Sequence, residues 1–319
     1  MELSFALPVS GSWATPERQL LVAERAEALG YRGLWTFQRL MYSGPPEDPF
    51  VPVEGGRWPE YYHSVLDPLL PLAFVAARTS AIRLGVAVLN GVFYSPVLLG
   101  KLLTSLDVLS GGRLDAGIGL GWSRSEYAAS GVEMARRGAR LDEMLECLSV
   151  LLGDDPVEFA GNFYQVPRSD FLPKAVQRPR MPLLVGGSSD AALRRAVRHA
   201  DGWISSSTAD VTTIARSVGR LRELASEQGK DPSSVRAVTR GVVRLRGDGW
   251  SSPQRRALEG PLEAVAADIH RFAEAGVDEL FLDPNFDVEV GNPGADPEAS
   301  TEDALRLLEA VAPRGSGPV

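Results

Sequence analysis

The stretch Ile82–Trp122, IRLGVAVLNGVFYSPVLLGKLLTSLDVLSGGRLDAGIGLGW, decides the fold. Val86 and Val88 stand in a β-branched apolar run, so Ile82–Leu89 predicts a buried strand. Ser95 and Pro96 then read as an N-cap and a first helical residue. A hydroxyl can accept from the free N–H groups of a helix start, and proline has no N–H to leave unpaired there. Leu98, Leu99, Leu102, Leu103 and Leu106 recur at helical spacing, and Gly111-Gly112 stops the helix. A second strand, Arg113–Gly119, follows at once. Strand, helix and returning strand make the unit of a parallel sheet. Asn90 follows the first strand and Gly121-Trp122 the second, where α/β proteins place their chemistry.

The same alternation runs outward to both ends. Further strands are predicted at Leu3–Val9, Gly33–Phe37, Pro182–Val185, Gly202–Ser205, Val235–Leu245 and Glu279–Asp283. Helices are predicted at Pro16–Leu29, Pro68–Arg78, Ala135–Leu152, Ser189–Ala200, Val211–Gln228, Leu262–Ala275 and Glu302–Val311. Eight strands alternating with helices favour a closed (β/α)8 TIM barrel over an open sheet. Insertions follow strands 2 and 4: Gln38–Ser64, rich in Pro, Gly and aromatics, and Val157–Pro179, with a small hairpin at Phe159–Val166. With no linker-like shift in composition, residues 1–312 are expected to form a single domain and 313–319 a disordered tail.

At 319 residues and 44% apolar content the chain can bury a large core. A net charge of -8 argues against a nucleic-acid groove or an anionic membrane surface. The lone cysteine, Cys147, excludes an intrachain disulfide and fits a reducing compartment. The start, MELSFALPVSG, reads as a strand rather than a signal peptide, and no run is long enough to span a bilayer. A soluble cytoplasmic protein is the expectation.

Gly117-Ile118-Gly119-Leu120-Gly121 is not a dinucleotide fingerprint, because the spacing differs and no acidic residue follows at the required distance. Its glycines either keep side chains out of a crowded strand end or let a flat ring lie against the backbone. Pro182–Ser189 (PLLVGGSS) is more informative: a strand runs through Gly186-Gly187 into Ser188, Ser189 and Asp190 at a helix start. Backbone N–H groups approached through glycine make an anion site, which is favoured here over ordinary capping. The neighbouring strand ends in Ser205-Ser206-Ser207, so two polar strand ends can share one phosphate. Asp190 suits an anion poorly and is expected to point away or only cap. His199 and His270 fall in amphipathic helices, whereas His63, ending WPEYYH, is a pocket candidate. Three scattered histidines give no metal constellation, and Cys147 in mid-helix is a poor nucleophile.

Taken in order, AERAEALGYRGLW, IRLGVAVLN, SPVLLGKLLTSLDVLSGGRLDAGIGLGW, RGARLDEMLECL and PLLVGGSSDAALRRAVRHADGW resemble the luciferase-like monooxygenase superfamily, most closely its branch using the deazaflavin coenzyme F420. The resemblance implies an eight-stranded α/β barrel, often dimeric, that transfers hydride at a flavin or deazaflavin ring. By position it implies a cis peptide at Ala87-Val88 bulging against the ring, and a polar contact from Asn90 to ring or tail. It also implies phosphate and tail binding by Gly186, Gly187, Ser205 and Ser206, with Trp122 and Ser125 beside the ring.

Two departures shape the expectation. Many deazaflavin relatives carry Asp-His after the second strand, where this chain has Gln38-Arg39, and arginine is a poor general acid. Relatives that oxidise glucose 6-phosphate carry a glutamate at Trp122 and a lysine shortly after the strand ending Ser205-Ser206-Ser207-Thr208; both are absent. The reading is hydride transfer between coenzyme F420 and a small, flat, largely apolar organic substrate. Gln38, Arg39 and His63 are its catalytic candidates, with Tyr61, Tyr62, Tyr94 or a water held by Gln38 and Arg39 as proton sources. The insert Gln38–Ser64, with Phe50, Trp58, Tyr61 and Tyr62, is the expected substrate lid. A homodimer is implied. The alternatives are an FMN-dependent monooxygenase using oxygen and a separate cofactor-reducing enzyme, or a non-catalytic flavin-binding barrel.

Overall fold

The computed structural model describes residues 1–42, 58–207 and 209–313. The chain runs β1 (Glu2–Ala6), α1 (Pro16–Ala28), β2 (Gly33–Thr36), α2 (Leu69–Ala76), β3 (Arg83–Asn90), α3 (Pro96–Leu109) and β4 (Leu114–Gly119). It continues through α4 (Arg124–Ala129), α5 (Arg137–Leu151), β5 (Val157–Ala160), β6 (Gln165–Ser169), β7 (Leu183–Gly186), α6 (Asp190–His199), β8 (Gly202–Ile204) and α7 (Val211–Glu227). It ends with β9 (Arg236–Val242), the short β10 (Arg244–Leu245) and β11 (Glu259–Gly260), α8 (Leu262–Glu274), β12 (Glu279–Asp283) and α9 (Pro297–Ala310). Strands β1, β2, β3, β4, β7, β8, β9 and β12 close in that order into the predicted parallel barrel. The expected hairpin is β5–β6, an antiparallel pair on the outside.

Local chemistry sets these elements. Ser95 Oγ accepts from the Leu98 N–H at 3.2 Å, which starts α3 at Pro96. The leucine stripe of α3 divides: Leu99, Leu103 and Leu106 are buried, while Leu98, Leu102 and Leu109 face outward. Helix α9 begins five residues before the expected Glu302, because Asp296 accepts from the Glu298 and Ala299 N–H groups. Its first turn, PEAST, has no large apolar side chain and so gives no periodic signal.

The barrel interior is filled rather than hollow. At the N-terminal end, Asp115 pairs with Arg83 at 2.6 Å and Arg236 at 3.0 Å, while Glu279 holds Arg32 at 2.9 Å, Ser4 Oγ at 2.6 Å and the Trp35 indole N–H at 2.8 Å. Above this polar floor Trp35 stacks on Phe281 with centroids 5.0 Å apart. Ala87, Leu184, Ile204 and Val238 complete that layer, and Val88 packs on it from above. The C-terminal mouth is thereby set on a rigid plug.

Candidate active site at the barrel mouth

The site is organised by a bulge near the end of β3. The β3–β4 register shifts between Val86 and Leu89, and the Ala87-Val88 peptide is cis. Neighbouring glycines make room for it. A Cβ on Gly119 would lie 2.5 Å from Val88 Cγ2, one on Gly186 2.9 Å from Val88 Cγ1, and one on Gly117 would strike the Val86 carbonyl oxygen. Of the two readings of Gly117-Ile118-Gly119, the geometry supports the crowded strand end. The Arg240 guanidinium, ion-paired with buried Asp283, also donates to the Ala87 carbonyl oxygen and lies 4.4 Å from the Phe286 ring centroid.

Polar groups line the rim above Val88. Gln38 Oε1 accepts from the Asn90 N–H at 2.8 Å, and Gln38 Nε2 donates to the Tyr94 hydroxyl at 2.6 Å. Burial raises the Tyr94 pKa despite the Gln38 hydrogen bond, so this phenol keeps a proton it can donate. Asn90 is buried, and its Nδ2 has no partner among the described residues. An unpartnered buried amide is costly, so this atom suits a bound acceptor.

Across the mouth, Gly187 (φ +138°) turns β7 directly onto α6; a Cβ there would meet Ala192 Cβ at 2.7 Å. Its own amide points at the Ile204 carbonyl at 3.4 Å, and Ser189 caps Ala192 N–H at 3.2 Å. With the Ala192 and Leu193 N–H groups bonded to Ser189, the Asp190 and Ala191 N–H groups at the start of α6 are the better candidates for an anion. Asp190 is turned aside as expected, held by Arg194 at 2.7 Å and Arg220 at 2.9 Å. Ser205 Oγ accepts from the Arg240 N–H at 3.2 Å, and Ser206 follows it out of β8. Asn90 Nδ2, the Val88 surface and the start of α6 together fit a flat ring with an anionic tail.

The remaining predicted residues sit differently. Arg39 is buried, pairs with Glu126 at 2.7 Å, and stands over Trp122 (4.4 Å), Trp58 (5.2 Å) and Tyr62 (5.2 Å). These contacts pin the root of the first insert. His63 is exposed, with its ring edge-on to Tyr42 at 4.7 Å. Ser125 is half-buried in the first turn of α4. Much of the expected lid, Phe50 included, lies outside the described residues, as does Thr208. Arg240, Asp283 and Glu126 escaped the sequence reading. An arginine within the apolar strand VTRGVV was the available signal for the first. Among the described residues no group of three or more His, Cys, Asp or Glu could hold a metal ion, and no helix is long and apolar enough to cross a membrane.

Comparison with known proteins bears on the family and the fold. The luciferase-like monooxygenase family profile matches residues 3–248. An uncharacterised protein of Mycobacterium tuberculosis is 32% identical over 237 residues, spanning 72% of this chain and 81% of its own. The crystal structure of the monooxygenase RslO1 from Streptomyces bottropensis superposes with a TM-score of 0.79 at 24% identity, covering 98% of each chain. The coenzyme F420-dependent tetrahydromethanopterin reductase of Methanopyrus kandleri gives 0.71 at 17% identity, covering 97% of each. At those identities the two structures speak to the fold.

Proposed function

The chain belongs to the luciferase-like monooxygenase family, and from that premise we propose an oxidoreductase that moves a hydride between coenzyme F420 and a small organic substrate at the barrel mouth. The observation that carries this reading is the buried, unpartnered Asn90 Nδ2 beside half-exposed Val88. When bound, the deazaflavin supplies the hydride chemistry; the protein's part is to place and shield it. Val88 presents an apolar surface to the ring, Asn90 donates to it, and Trp122 and Ser125 stand toward its edge. The start of α6 after Gly186-Gly187, with Ser205 and Ser206, takes the tail phosphate. Tyr94, oriented by Gln38, holds the proton that reduction of a C=C or C=N bond requires.

An FMN-dependent monooxygenase with a separate reductase is the second reading, favoured by Arg39 lying in a cage where deazaflavin relatives carry histidine. Titration of the purified chain with F420 and with FMN separates the two. Tighter F420 binding is expected, whereas tighter FMN binding with oxygen-dependent turnover would install the second reading. Stoichiometric binding without turnover across enones and imines would leave a flavin-binding barrel.

We also propose a homodimer formed through α2 and α3. Helix α2, LLPLAFVA, is apolar on all sides, and its outer face with that of α3 exposes Leu70, Phe74, Leu98, Leu102 and Leu109.

A further inference from the structure

We propose that the groove between residues 58–61 and the β10–β11 pair is a subsite for the acid group of an organic substrate, anchored by Arg244 and Arg256. This rests on the reading of the barrel mouth above and names the substrate class that the mouth would take. The groove encloses about 660 Å³, enough for a small molecule. Trp58, Tyr61 and Phe286 give it aromatic walls, and Arg244, Arg246 and Arg256 give it cations.

Of the three carboxylates lining it among the described residues, two face Arg246. Arg246 holds Asp287 at 2.7 Å and Glu259 at 4.0 Å, while Glu60 is exposed and the Tyr42 hydroxyl near it donates to the closer Trp58 carbonyl at 2.8 Å. Among the described residues, neither the Arg244 nor the Arg256 guanidinium has an ion pair or hydrogen bond to a side chain. Arg244 is half-buried, and that burial draws its pKa below the ordinary arginine value while leaving it cationic. Asp287 and Glu259 act on Arg244 through space without hydrogen-bonding it, so its half-buried guanidinium N–H groups are left for a planar oxyanion to bridge. Burial keeps the nearby Tyr61 hydroxyl protonated, a further donor.

The groove and the residues under the mouth share one ring. Phe286 lines the groove and lies beneath Arg240, whose guanidinium holds the Ala87 carbonyl. On this proposal a substrate with its acid group at Arg244 and Arg256 would lay its apolar body along Phe286, on the side of the groove that faces Arg240. A carboxylate, sulfonate or phosphate shares this chemistry, and so does the anionic tail of a coenzyme. We assign the groove to the substrate because the phosphate-suited start of α6 stands at β7 and β8, whereas the groove lies beyond β9 and β12.

The test is calorimetric titration of the full-length, coenzyme-free chain with cinnamate, benzenesulfonate and the neutral cinnamyl alcohol. The acids should bind, with the alcohol at least about tenfold weaker. Arg244→Gln and Arg256→Gln should each weaken the acids roughly tenfold or more, the loss of a charge-assisted pair, and leave the alcohol unchanged. Arg256 is exposed, so that variant keeps the test open if Arg244→Gln fails to fold. Equal affinity for cinnamate and its alcohol, no binding of either acid, or acids unaffected by both variants would overturn the proposal. Variants that weaken F420 titration but not cinnamate would return the groove to the coenzyme tail and equally overturn it. Because no coenzyme or turnover enters the acid titrations, their failure leaves the hydride reading to its own experiment.

Discussion

Val88 shows how much one side chain can demand of its neighbours. Gly119 and Gly186 on the next two strands leave the space its methyls fill, at distances where a Cβ cannot be tolerated. Gly119→Ala is therefore expected to cost about 1–3 kcal/mol of stability, the usual range for overpacking. It should also weaken coenzyme binding by displacing the Val88 surface. Adding Val88→Ala to it should recover most of the stability, since the clashing methyls are gone. Urea unfolding of the single and double variants checks this; an unaffected single variant would mean the bulge moves freely. Asn90 makes a second case. Its backbone N–H is committed to Gln38 and its Nδ2 is unpartnered, so Asn90→Ala should leave folding nearly unchanged while lowering coenzyme affinity by roughly tenfold. Equal affinity in a fluorescence titration would remove Asn90 from the site.

Elements were legible where periodicity is strong and obscure where pairing is distant. The strand-helix-strand unit at Ile82–Gly119 reads directly from β-branched and leucine spacing, and the glycine-led start of α6 reads from PLLVGGSS. Helix α4, RSEYAA, has no apolar repeat and was invisible in sequence. It forms because Ser123 caps Glu126 N–H at 3.2 Å, and it stays because Glu126 grips residues 39–41, beyond the end of β2. That carboxylate accepts from Arg39 at 2.7 Å and from the Leu40 and Met41 N–H groups at 2.7 and 3.3 Å. A contact 87 residues away carries no local signal. The site was legible in the same proportion: Asn90 and Gly187 stand at strand ends, whereas Arg240–Asp283 and the cage around Arg39 arise only on closure. Glu126→Gln removes the charge facing a buried guanidinium and should cost about 3–5 kcal/mol. The emission of Trp58 and Trp122 should shift as the cage loosens. A normal unfolding midpoint with unshifted emission would show that the aromatic rings alone hold Arg39.

At the scale of the molecule, the charged floor and the apolar outer face make opposite demands. Burial alone would raise the Asp115 pKa, but hydrogen bonding and charge from Arg83 and Arg236 outweigh it and hold the pKa below the ordinary carboxylate value. A depressed folded-state pKa means stability present above the unfolded value, roughly 3.9, and lost as pH falls through the folded one. Asp115→Asn should thus cost about 3 kcal/mol or more at pH 7, with the gap from wild type narrowing below about pH 4. Urea unfolding at both pH values checks it; a gap constant with pH would deny the depressed pKa. The outer face asks for a partner. Leu70 on α2 is 70% exposed and Leu109 on α3 72%, values a lone water-facing helix pair would not favour. Leu98→Glu with Leu109→Glu places two charges on that face without touching the mouth. Light scattering should give a wild-type mass of twice the 34.3 kDa chain and a double-variant mass of one chain, with coenzyme affinity retained. A wild-type protein that is monomeric at tens of micromolar would leave that face to a different partner, and a double variant that stays dimeric would move the interface elsewhere on the barrel.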